Sequence, residues 1–196
     1  MRQVILVQTT PGRVEILTNF LQSIKNYDGK YPLFIESAYN YSWFDFVTHH
    51  EFDEILILHD SVEIKDLSLF DLVFDKYKGR SVSFTGMPYF VMEMGKYKRK
   101  PYLESIFEGS ETYKGRGQNE FQFGPAYVKN SNEVPVVLFP NMMECEWPGN
   151  KKKRKFHWKF NRGNLVLENQ YIRKYKGHWA ECMIRTLDKD GYIIKT

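Results

Sequence analysis

The sequence predicts an α/β domain, a mainly parallel sheet flanked by helices, and three observations carry that expectation. Val4-Ile5-Leu6-Val7 and Ile55-Leu56-Ile57-Leu58 are short continuous apolar runs, the pattern of strands buried on both faces. Each run is closed by polar turn residues, Thr9-Thr10-Pro11-Gly12 after the first and His59-Asp60-Ser61 after the second. Segments with helical spacing lie between the strands, so the order strand, helix, strand repeats with short connections, as right-handed parallel crossovers require.

Taken in chain order, the first strand leads into a helix in which Val14, Leu17, Leu21 and Ile24 recur at three- and four-residue spacing with Phe20 beside them. Thr10 is placed to cap its first turn and Pro11 to occupy its first helical position. Tyr31 to Glu36 reads as a second strand, and the aromatic segment Trp43 to Val47 as a helix or turn. After the strand at 55–58, Asp66 looks like the N-cap of a helix carrying Leu69, Leu72 and Val73, and Val82-Ser83-Phe84 like a fourth strand. Further on, Pro101 to Phe107 predicts a short helix, Phe121 to Val128 a strand, and Val134 to Phe139 a strand placed on an edge by Pro135. A final helix from about Leu165 to Tyr175 is expected to end at Gly177.

A chain of 196 residues suits one such domain and one site. No stretch approaches the roughly 20 apolar residues that span a bilayer. The start of the chain turns polar too early for a secretory signal, so a cytoplasmic location is the expectation. Cys145 and Cys182 lack zinc-type spacing and read as ordinary thiols. The net charge of +4 rests on one segment: without Lys151, Lys152, Lys153, Arg154 and Lys155 it becomes −1, which describes a local loop better than a basic face.

In an open α/β sheet, ligands bind outside the carboxyl ends of the strands. Thr9, Thr10 and Arg13 follow the first strand, and His59-Asp60-Ser61 the central one. A carboxylate there is suited to a divalent cation bridging a diphosphate, which makes Asp60 the first candidate for a metal ligand. A turn or capping role for Asp60, and helix capping by Thr9 and Thr10, explain the same residues structurally.

TTPGRVEILTNFLQSI resembles the opening β-α unit of GT-A glycosyltransferases of the family 2 kind. FDEILILHDSVEIKDLSLFD is similar to that family's central strand with its metal-binding aspartate motif, and FQFGPAYVKN to the strand that begins the acceptor half. The likeness covers about two-thirds of the chain and fades between Met87 and Gly117. It implies a single GT-A-like domain, with 1–90 as the nucleotide-sugar-binding half and 91–196 as the acceptor half with a C-terminal helix. The family's Asp-x-Asp is reduced here to Asp60 alone, with Glu63 a distant helper.

What the resemblance implies is a metal-assisted transfer of a sugar from a nucleotide diphosphate sugar, most simply a UDP-sugar, to a saccharide or other hydroxyl acceptor. Thr9, Thr10, Arg13, Glu36, Asp60, Ser61 and Arg162 would seat the donor, and Asp60 with His178 would hold Mn²⁺ or Mg²⁺. His178 is equally explained as a histidine at a helix end, where the macrodipole favours it. Glu144 and Glu146 fall where a base for the acceptor hydroxyl would come from, with Glu168 a lesser candidate. Three other functions fit parts of the pattern: a nucleic-acid-binding protein gripping phosphates through 151–155, a glycosyltransferase acting on a modified DNA base, and a non-catalytic GT-A-like binding domain.

Overall fold

The computed structural model describes residues 1–9, 14–37, 42–84, 94–111, 116–139 and 165–175. Its elements in order are β1 (Gln3–Thr9), α1 (Val14–Ser23), β2 (Leu33–Ser37), α2 (Ser42–His49), β3 (Glu54–His59) and β4 (Val62–Ile64). Next come α3 (Ser68–Asp71), which runs on into a π-helical turn at Leu72–Lys76, then β5 (Val82–Ser83), β6 (Gly95–Lys98), α4 (Arg99–Glu111) and α5 (Arg116–Ser131). The last described strands are β7 (Val136–Val137), β8 (Leu165–Glu168) and β9 (Ile172–Tyr175).

Six strands form one sheet in the order β2-β1-β3-β6-β5-β7. The pairs β1–β2, β1–β3 and β5–β7 are parallel, while β6 runs antiparallel to both of its neighbours, so the α/β expectation holds with a mixed, mainly parallel sheet. A second sheet, β4-β9-β8, is antiparallel throughout.

The apolar runs of β1 and β3 are buried on both faces, as their composition predicts. Alternate residues feed two cores. Ile5, Val7, Leu56 and Leu58 pack with Phe20 of α1, Val73 and Phe74, and Ile64 and Ile172 of the second sheet. Val4, Leu6, Ile55 and Ile57 pack instead with Phe46 of α2, Tyr102 of α4, and Phe123 and Tyr127 of α5. Each such side chain, fully buried, contributes about 1.5 to 3 kcal/mol.

Several sequence expectations are corrected. The buried residues of α1 are Ile16 and Phe20, with Ile24 just past its end also buried, while Val14 and Leu21 face solvent. The segment expected to be a strand at Phe121–Val128 lies within α5, although it contains Gly124 and Pro125. Phe123 and Tyr127, one helical turn apart, are both buried, and that packing outweighs the poor intrinsic propensity of glycine and proline. The strand expected over Val134–Phe139 is reduced to β7, on the sheet edge as Pro135 requires.

The expected final helix at Leu165–Tyr175 is a hairpin. The Asn169 side chain accepts hydrogen bonds from the backbone N–H groups of Tyr171 and Ile172 at 2.7 and 3.0 Å, which closes the turn between β8 and β9. Strand β6 was not expected, because Gly-Lys-Tyr-Lys reads as a polar loop. A Cβ at Gly95 would collide with the Val82 carbonyl oxygen, so glycine permits the close approach of β5. No helix among the described residues is long and apolar enough to cross a membrane.

Candidate functional site

Strand β1 pairs with β2 on one side and β3 on the other, both in parallel. The chain therefore leaves β1 in one direction, returns, and continues in the other, the switch point at whose carboxyl edge open α/β sheets bind ligands. Register and alternation put two polar rows there. Glu36, Gln8 and His59 lie side by side on the face shared with Leu6 and Ile57, because Gln8 is opposite both Glu36 and His59. Thr9 and Ser37 lie opposite each other on the face shared with Val7 and Leu58.

Asp60 belongs with Thr9. Its backbone N–H donates to the Gln8 carbonyl at 3.0 Å, extending the β1–β3 ladder one residue beyond β3, and its carboxylate accepts the Thr9 hydroxyl at 2.9 Å. The carboxylate is thus held by a hydroxyl of the neighbouring strand, and Asp60 is only 3% exposed. Ser61, 2% exposed, accepts a hydrogen bond from the Lys174 ammonium through its hydroxyl.

Lys174 is brought in by β9. It pairs across from Val62, and two residues along is Ile172, both in the core with Ile5 and Val7, so Lys174 occupies a core-facing position of the small sheet and is 6% exposed. The intervening residues face outward. Glu63 sits 3.7 Å from the Arg173 guanidinium, and Arg173 also binds Glu168 at 2.8 Å. Glu63 is therefore turned away from Asp60 by the alternation of β4. Glu168 lies on a strand, and hydrogen bonds from Lys65 and then Arg173 hold its carboxyl below the usual carboxylate range, which leaves it a poor proton acceptor.

Gln8 is the second residue that sequence reasoning missed. It is 7% exposed, and its amide nitrogen is buried without a hydrogen-bond partner among the described residues. Burying such a donor unmade costs about 1 to 3 kcal/mol. The signal available in the sequence was a polar side chain ending a run of buried apolar ones. For Lys174 the signal was alternation with Ile172, which became legible only once the segment was seen to be a strand.

The structure thus brings together Thr9, Glu36, Asp60 and Ser61 of the expected site. Thr10, Arg13, Glu144, Glu146, Arg162, His178 and the basic run 151–155 lie outside the described residues. Among the described residues, no group of three or more His, Cys, Asp or Glu is placed to hold a metal ion.

The amino ends of the same strands hold a different buried cluster. Glu54 accepts hydrogen bonds from Lys96 at 3.1 Å, from the Gly79 backbone at 2.9 Å and from Gln3 at 2.7 Å, and Lys96 also donates to the Tyr77 carbonyl at 2.6 Å. Burial pushes the Lys96 ammonium below its ordinary value, opposed by the charge and hydrogen bond of Glu54.

Compared with protein-family models, curated proteins and solved structures, the chain matches none.

Proposed function

We propose that this chain is a glycosyltransferase that moves a sugar from a nucleotide diphosphate sugar to a hydroxyl acceptor. The observation that carries the reading is the placement of Thr9, Asp60 and Ser61, with Gln8, Glu36 and His59 on the opposite face, at the carboxyl edge where β1 parts β2 from β3. Such an edge is where open α/β sheets bind nucleotides. Glu36 and Gln8 together offer an acceptor and an unused donor, the pair needed to read a nucleobase edge or a ribose.

The oxygen donors beside Asp60 fit a hard cation held by one carboxylate and completed by phosphate oxygens. Mn²⁺ or Mg²⁺ bound there would stabilise charge on the departing diphosphate. Around it, Thr9 fixes the Asp60 carboxylate, and Ser61 presents its hydroxyl at the same edge. By the resemblance to GT-A enzymes, Thr10, Arg13 and Arg162 would contact the donor, His178 would complete the metal shell, and Glu144 or Glu146 would take the acceptor proton. The partners are then a UDP-sugar donor and a saccharide or other hydroxyl acceptor.

The test is calorimetry of UDP and UDP-sugars against the wild type and Asp60→Asn, with and without Mn²⁺. The reading expects binding by the wild type, strengthened by metal, and a fall of about tenfold or more in the variant. Equal affinities under all conditions would remove the site, and turnover of a UDP-sugar would separate a transferase from a binding domain.

A further inference from the structure

We propose that Gln8 is a specificity-determining residue, whose buried amide N–H donates to the base of a bound nucleotide and so sets which bases the site accepts. The proposal rests on the nucleotide reading above and adds to it the group that selects the nucleoside.

The amide is out of place as part of the fold. On its face of β1 the preceding residues are Val4 and Leu6, both in the core with Ile55, Ile57 and the aromatic side chains of α2, α4 and α5. An apolar residue at position 8 would continue that row. The chain instead places there a glutamine, 7% exposed, whose amide nitrogen is buried without a hydrogen-bond partner among the described residues. Buried polar groups are nearly always paired, and an exception requires a reason. The same strand shows that this fold can satisfy such a group, because the Gln3 amide donates to Glu54 at 2.7 Å and to the Phe74 carbonyl at 3.4 Å. Strand β1 thus carries a matched glutamine at its amino end and an unmatched one at the end where open α/β sheets take their ligands. Departures from pattern concentrate at functional sites.

The place of Gln8 in the sheet suits a nucleoside better than a diphosphate. It stands between Glu36 of β2 and His59 of β3 in one row, while Thr9 and Asp60, the pair assigned above to cation and phosphate, lie on the other face. Neighbouring strands are about 4.8 Å apart, so Gln8 and Glu36 set a donor and an acceptor within reach of one base. An amide is uncharged and directional, the chemistry that reads base edges, whereas phosphates are met by cations.

Burial gives the amide its power to discriminate. Its N–H has already lost water in the free protein, so a base that presents an acceptor gains a hydrogen bond with no exchange against solvent. A base that presents a donor leaves both groups unmet. Binding also has to part the side chains that cover the nitrogen, and only a matching base offsets that movement with a hydrogen bond.

The experiment titrates UDP, CDP, GDP, ADP and inorganic pyrophosphate, each with saturating Mn²⁺, into the wild type, Gln8→Met and Gln8→Glu, after thermal melts establish that the variants fold. The wild type is expected to prefer UDP to at least one other nucleotide by about tenfold or more, and Gln8→Met to narrow that preference to within about threefold with pyrophosphate affinity unchanged. Gln8→Glu keeps the shape and removes the N–H, and it is expected to weaken UDP at least as much as Gln8→Met. A preference retained in Gln8→Met, equal losses for UDP and pyrophosphate, or undiminished UDP affinity in Gln8→Glu would overturn the role of Gln8 and leave the nucleotide site standing. So would a wild type that binds every nucleotide alike, a result that does not depend on any variant folding. Absence of nucleotide binding by the wild type would overturn both readings.

Discussion

The two ends of β1 and β3 both bury charge, and they do so in opposite ways. At the amino ends, Glu54 and Lys96 are each almost fully buried, and between them they engage Gln3, Gly79 and Tyr77 in a closed set of hydrogen bonds. At the carboxyl ends, Asp60 and Lys174 are nearly as buried, yet the neighbouring Gln8 amide has no partner among the described residues, and Thr9, Glu36, Ser37 and His59 remain half-exposed. A closed network rigidifies a fold. A buried donor with no partner among the described residues, as in Gln8, keeps its capacity for a ligand at a cost in stability. The comparison sets a closed charge network against the edge on which the proposed function rests.

The largest expected effect falls on the closed end. Lys96→Met leaves Glu54 buried without its cation and should destabilise the protein by about 3 to 5 kcal/mol in urea denaturation. The affinity of the folded protein for UDP should not change. A loss below about 1 kcal/mol would mean that the network does not hold the strands together.

At the open end the order of effects reverses. Asp60→Asn should alter unfolding free energy by less than about 1 kcal/mol, because the Thr9 hydroxyl can donate to the amide oxygen as it does to the carboxylate. UDP binding should nevertheless fall. A large loss of stability with unaltered binding would place Asp60 with the structural charges.

Gln8→Met sharpens the contrast further. Removing an unmet buried donor in favour of an apolar group of similar size should be neutral or stabilising by about 1 kcal/mol, while uridine affinity drops. Thermal melts and uridine titration on the same sample read both effects. Destabilisation with unchanged affinity would show that the amide serves the fold.

The smallest effect concerns Glu133, which binds Lys98 at 2.6 Å and the Ser81 backbone at 2.9 Å. Burial pushes its carboxyl up, but the Lys98 and Ser81 hydrogen bonds outweigh it and hold the group below its ordinary value of 4.5. A depressed folded value contributes stability that is complete above 4.5 and is lost as pH falls through the folded value. Glu133→Gln should therefore be less stable than wild type by about 1 kcal/mol at neutral pH, a gap that closes in acid. A gap independent of pH would contradict the charge origin of the effect.

How far the sequence could be read followed how each segment is buried. Strands β1 and β3 were legible because burial on both faces leaves an unbroken apolar run that no surface helix shows. Their carboxyl ends were legible for the same reason, since the run stops where Thr9 and Asp60 begin. Strand β6 was not, because Lys96 is a buried cation whose partner, Glu54, is distant in sequence. Helix α5 was hidden by Gly124 and Pro125, whose local cost is outweighed by packing of Phe123 and Tyr127. The β8–β9 hairpin has apolar residues whose spacing suits a helix as well as two short strands, and only the Asn169 turn decides between them. Lys174, a buried cation on β9, was lost with that hairpin.

The most direct measurement is an amide NMR titration with UDP, which reports both ends of β1 and β3 in one experiment. The account predicts shifts concentrated at Gln8, Thr9, Glu36, Ser37, Asp60 and Ser61, with Glu54, Gly79 and Lys96 unmoved. Shifts confined to the Glu54–Lys96 end, or none at saturating UDP, would contradict it.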